Sequence, residues 1–163
     1  MYRRRYTYSL ILPLLIIAAV ITAPAAIAAA SQPSKLIFHV NDDSPEHQEA
    51  VLRNLQNHLV SVGPENLDIK VLLQGGGVSM LLLPKALPRV SAFNYANASP
   101  AFCGRIDELR AQGVIFLVSG RTLAQHHIDF RHDLYGVHPR DIVPNALSQL
   151  AELQSQGYTY IKP

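Results

Sequence analysis

Cysteine is nearly absent from this chain, tryptophan is absent altogether, and charged side chains make up only 16% of its 163 residues. A lone thiol, Cys103, cannot close an internal disulfide, so an ordinary apolar core has to hold the domain. A chain of this length can bury such a core. Charge of either sign is also scarce in excess: 14 Lys plus Arg stand against 12 Asp plus Glu, a net of +2. Three of the basic residues are Arg3, Arg4 and Arg5; without them eleven stand against twelve, a net near −1. A near-neutral domain has no electrostatic footprint for nucleic acid, which excludes that class of partner. Several motifs are missing too. The chain has no GxGxxG, no P-loop ending in Lys-Ser/Thr, no HExxH and no His-Cys zinc spacing.

What is present begins with an export pattern. Met1 to Arg5 is basic, Leu10 to Ile21 is apolar apart from Pro13, and Ala23 to Ala30 is small and alanine-rich. That order is what a signal peptidase requires, with Ala26-Ile27-Ala28 or Ala28-Ala29-Ala30 as the cleavage site. Residues 1–30 are therefore read as a signal peptide, and the mature protein as periplasmic or secreted, with no membrane contact after cleavage. The alternative is an uncleaved N-terminal anchor. Leu10 to Ala30 just reaches the roughly 20 residues a spanning helix needs, but alanine and Pro24 leave it weakly hydrophobic. Residues 31–34 read as a short connector and 35–163 as one domain.

Within that domain strands and helices alternate. Lys35 to Val40 is a mainly apolar run, fit for a strand buried on both faces. Ser44-Pro45 is a helix start, and Val51, Leu52, Leu55, Leu59 and Val62 follow at helical spacing before Gly63-Pro64 stops it. Asp68 to Gln74 is a second strand leading into Gly75-Gly76-Gly77, and Val78 to Leu83 begins a short buried helix. Pro84 to Pro100 is read as an irregular loop, serving as an oligomer contact or a lid. Ala101 to Gln112 is helical, Val114 to Val118 a third strand, and Leu123 to Ile128 a short helix. Ile142-Val143 is a brief fourth strand, Asn145 caps a helix with Leu147, Leu150 and Leu153, and Tyr158 to Ile161 is the last strand. The alternation predicts an α/β fold: a small flavodoxin-like, doubly wound, three-layer domain with a mainly parallel sheet of about five strands.

Ligands in such sheets bind beyond the carboxyl ends of the strands. The loops there carry Asn41, Asp42 and Asp43, then Gly75, Gly76 and Gly77, then Ser119, Gly120, Arg121 and Thr122. Glycine lets backbone approach closely, and the amides of 120–122, opening a helix, are placed to hold an anion. These loops are the candidate binding site, for a small anionic or sulfur-containing ligand; no cofactor and no metal is indicated. Asp42 and Asp43 read as a solvated turn. His126, His127, His132 and His138 crowd one segment without metal spacing, and adjacent histidines on a helix point about 100° apart. His39, inside an apolar strand, reads as a core residue. Ser119 between strand and helix has the setting of a nucleophile elbow, but Leu117-Val118-Ser119-Gly120-Arg121 lacks the glycine two positions before the serine.

Several segments together resemble the DsrE/DsrF-like family: KLIFHVNDD at 35–43, LRNLQNHL at 52–59, DIKVLLQGGG at 68–77, IDELRAQGVIFLVSGRT at 106–122 and LAELQSQGYTYIKP at 150–163. The resemblance implies a flavodoxin-like sheet, a homo-oligomer (a trimer or hexamer) and a link to sulfur relay or sulfur oxidation. It also implies a persulfide-carrying cysteine after the third strand, where this chain has Ser119. A serine hydroxyl is not ionised near neutral pH and cannot form a persulfide. The leading expectation is thus an exported binding or interaction domain that is not an enzyme. One alternative is a periplasmic sulfur carrier using Cys103, which helix and strand lengths return to the Ser119 edge and whose pKa a helix N-terminus would lower. Against it, Cys103 reads first as a small buried hydrophobe. A third reading is a hydrolase using Ser119.

Overall fold

The computed structural model describes residues 32–90 and 92–163. The signal peptide, its anchor alternative and Ser31 of the connector lie outside the described residues. Five strands form one parallel sheet: β1 (Ser34–Val40), β2 (Leu67–Leu73), β3 (Ile115–Ser119), β4 (Ile142–Val143) and β5 (Thr159–Ile161), in the order β4-β3-β2-β1-β5. Five α-helices connect them: α1 (Pro45–Val62), α2 (Pro100–Ala111), α3 (Gly120–Gln125), α4 (Phe130–Asp133) and α5 (Ala146–Ser155). No helix among the described residues is long and apolar enough to cross a membrane.

Strand alternation divides the apolar residues between two faces. Phe38, Val40, Ile69, Val71, Leu73, Phe116 and Val118 pack with Leu52, Leu55 and Leu59 of α1 and Ile106 and Leu109 of α2. Ile37, Leu72 and Leu117 point the other way and pack with Leu150 and Leu153 of α5. The expected three-layer α/β architecture is what the structure shows. Chain direction explains the layering: β1 to β4 step one way along the sheet, and right-handed crossovers keep their helices on one face. The return from β4 to β5 puts α5 on the other.

The helix starts follow local capping chemistry. The Ser44 hydroxyl accepts from the His47 amide at 3.2 Å, with Pro45 in the first turn. Asn145 Oδ1 accepts from the Leu147 amide at 2.8 Å. Ser34, assigned above to the connector, already belongs to β1.

Two stretches differ from expectation. The helix placed at Val78 begins at Gly75 as a 3-10 helix, Gly75–Met80. The segment from Pro84 to Pro100 is irregular, as expected, but it is anchored on the core at intervals. It opens with a 3-10 turn, Pro84–Ala86, and buries Val90, Phe93 and Ala98. Arg89 pairs with the buried Asp133 carboxylate, and the Leu83 amide donates to the Asp133 carbonyl at 2.8 Å. Spacing without a helical or strand period hid these contacts.

Candidate functional site

At the carboxyl edge the loops after β1, β2 and β3 close on one another. A Cβ on Gly77 would lie 2.1 Å from the Val40 carbonyl oxygen, and one on Gly76 would lie 2.9 Å from the Asp43 nitrogen. Gly75 has φ +52°, the left-handed region that favours glycine. The three glycines are therefore needed where β2 turns against the end of β1. The close approach expected toward a ligand is made to the chain itself.

Polar groups here are also engaged. Asp42 Oδ2 accepts from His47 Nδ1 at 2.6 Å, and its Oδ1 from the Ser44 amide at 3.2 Å. Asp43 Oδ2 accepts from the Asn94 amide at 3.0 Å. Beneath them Gln48, with no exposed surface, donates to the Asp42 carbonyl at 2.6 Å and to Ser79 Oγ at 2.9 Å, while its Oε1 accepts from Asn97 Nδ2 at 2.7 Å. Sequence reasoning missed this network. A signal existed: Gln48 continues the α1 stripe of Leu52, Leu55 and Leu59, a polar residue on a core-facing row.

Ser119 caps α3. Its hydroxyl, in a residue 2% exposed, accepts from the Thr122 amide at 3.3 Å. Thr122 Oγ1 in turn accepts from the Gly75 amide at 3.0 Å, and the Arg121 amide donates to the Pro144 carbonyl at 3.2 Å. Two of the three amides assigned above to an anion are thus used internally, a correction to that expectation. Gly120 sits where a Cβ would meet Ile142 Cγ2 and the Val143 oxygen, both at 3.2 Å. This is the point where β3 feeds one face of the sheet and β4 the other, the usual ligand crevice of such folds; here backbone bridges it. Of the eight candidate residues, Asn41 and Arg121 are exposed, and the Asp42 side chain is 39% exposed.

Cys103 stands in the first turn of α2 and is 7% exposed. Burial pushes its thiol above the ordinary pKa, Asp107 adds to this and Arg110 opposes it. The lowering expected at a helix N-terminus is overridden by desolvation. His39 is a satisfied interior residue: Nε2–H donates to Gln74 Oε1 at 2.9 Å, and the Tyr160 hydroxyl donates to Nδ1 at 3.1 Å. Burial lowers its pKa, outweighing the Gln74 hydrogen bond.

Residues 34–163 match the model of the DsrE/DsrF-like family. The chain belongs to that family. Its fold is accordingly a sulfur-relay-related one. A solved structure described as a protein of unknown function from Methanobacterium thermoautotrophicum is similar, with 25% identity and a TM-score of 0.62 over 80% of this chain and 99% of that one. No curated protein matches the chain.

Proposed function

We propose that this DsrE/DsrF-like chain is an exported binding or interaction protein that does not pass sulfur on. The observation that carries the reading is the state of its two sulfur-relevant positions. Ser119 is a buried helix cap whose hydroxyl is taken up by the Thr122 amide. Cys103 is a buried thiol with a raised pKa. A persulfide forms on an accessible thiolate, and neither position offers one. The same capping role argues against Ser119 as a hydrolytic nucleophile, since no histidine hydrogen-bonds its hydroxyl among the described residues.

In this reading the carboxyl edge is a contact surface. Asn41, Asp42 and Arg121 present side chains there, and a small anion or a partner chain is what Asn41 and Arg121 would meet. A trimer or hexamer built from such surfaces accords with the family resemblance. The export pattern at residues 1–30 supports the reading: an exported protein works in an oxidising space, where a thiol relay has little use.

Maleimide labelling tests the core of the proposal. Cys103 in the folded protein is expected to react at least about a hundredfold more slowly than in urea, since reaction waits for opening of the fold. Equal rates in the two states would overturn it. Light scattering of the native protein reads the assembly, and N-terminal sequencing of exported material, expected to begin near Ser31, reads the processing.

A further inference from the structure

β4 is two residues long and pairs only with Val118 and Ser119. The outer side of β3 from Ile115 to Leu117 therefore has no neighbouring strand among the described residues. A cleft of about 790 Å³ runs along it, toward the amino end of the sheet and away from the carboxyl-edge loops. That volume falls within the range of small-molecule sites.

The cleft has an apolar side and a cationic side. Ile115, 42% exposed, with Phe116 and Leu117 supplies the apolar side. Arg110 and Arg140 supply the positive charge, and Asp107 and Asp141 line the cleft beside them. The Arg110 guanidinium is held in place: it lies 5.5 Å from the Phe116 ring centroid and 5.9 Å from that of Tyr135, and Nη2 donates to the Gly136 carbonyl at 2.9 Å. Gly136 has φ +59°, and a Cβ there would come within 2.5 Å of Arg110 Nη1. Its nearby carboxylate, Asp107, is 3.5 Å away and is shared with the Tyr135 hydroxyl. The Arg140 side chain is 83% exposed, and Asp141, 3.8 Å from it, also accepts the His138 amide. Lys70, which also lines the cleft, is occupied by Asp68 and Tyr158.

We propose that this cleft binds an organic anion with an apolar body: the body lies on the Ile115–Leu117 edge and one acidic headgroup meets Arg110 and Arg140. The planar arginine fork matches oxyanions such as carboxylates, phosphates and sulfonates, and a guanidinium already fixed by its surroundings loses little freedom when the headgroup arrives.

Two fluorescent probes that differ by one sulfonate test it on the native protein: 8-anilinonaphthalene-1-sulfonate and the uncharged N-phenyl-1-naphthylamine. The sulfonate is expected to bind at least about tenfold more tightly, the scale of one charge-assisted hydrogen bond. Arg140→Glu should abolish that preference while leaving the uncharged probe's affinity unchanged. Ile115→Asp should weaken both probes about tenfold. Arg53→Glu, at an exposed α1 position that does not line the cleft, should change neither. Near-UV circular dichroism confirms that each variant compared is folded, and Arg140→Glu, at a surface position, keeps the test decisive if Ile115→Asp is not. Absence of binding, equal affinity for the two probes, or a preference that survives Arg140→Glu would overturn the proposal.

Discussion

At the carboxyl edge of the sheet, Gly76, Gly77 and Gln48 draw three loops together until backbone meets backbone, and the Gly75, Arg121 and Thr122 amides are taken by Thr122, Pro144 and Ser119. At the amino end of the outer side of β3, a strand that stops after two residues leaves an open cleft with a fixed guanidinium beside it. The general expectation for a parallel α/β sheet puts the site at the first of these regions. The contrast shows that this expectation concerns where loops converge. Whether the convergence leaves room depends on how the loops are packed.

If that contrast is right, substitutions at the carboxyl edge cost stability and those at the amino cleft do not. The largest effect is expected from Gly77→Ala, which sets a methyl 2.1 Å from the Val40 oxygen. The β1 and β2 ends would have to part, a loss of about 3 kcal/mol or more by chemical denaturation. A near-wild-type midpoint would show that the edge is looser than described. Gln48→Leu comes next, at about 2 kcal/mol, because it removes the partner of the Asp42 carbonyl and one partner each of Ser79 and Asn97 beneath the loops. Ser119→Ala removes one cap and should cost about 1 kcal/mol. Arg140→Gln, on the cleft wall, should stay within about 0.5 kcal/mol of wild type; a larger loss would make that wall structural.

How far the sequence discloses this contrast varies by element. The strands and long helices were readable because their signals are local: Ser44-Pro45 and Asn145 cap, Gly63 stops, and apolar residues recur at 3.6 or 2. Gly77 was visible as a turn residue, but its purpose lies in a contact with Val40, 37 positions away in the sequence. No local pattern carries that. Val90, Phe93 and Ala98 are buried at irregular intervals, so their stretch read as a loop. Cys103 was readable as a buried hydrophobe, whereas the direction of its pKa depended on how deeply α2 settles. The cleft had a faint trace in the brevity of Ile142-Val143 between Pro139 and Pro144, a strand too short to cover its neighbour.

The smallest predicted effect concerns pH. Burial holds the His39 pKa below its ordinary value of about 6.5. A depressed pKa means the folded state prefers the neutral ring, so this contribution is complete above about pH 6.5 and is lost as the pH falls through the folded pKa. Asp68 is also lowered: burial raises it, but hydrogen bonds from Tyr158 and Lys70 outweigh that. Its contribution is present above about pH 4 and is lost below it. Melting temperature should therefore fall in two steps on acidification, and His39→Gln should remove the upper one. An unchanged upper step would place its origin elsewhere.

The central question for this member of a sulfur-relay-related family is whether it carries sulfur. Intact-mass measurement of the folded protein after exposure to polysulfide, which supplies sulfur already at the oxidation level of a persulfide, answers that directly. The mass is expected to stay that of the free thiol, with sulfur added at Cys103 only when the protein is unfolded first. A stoichiometric gain of one sulfur atom at Cys103 in the folded protein, removable by a thiol reductant, would contradict it.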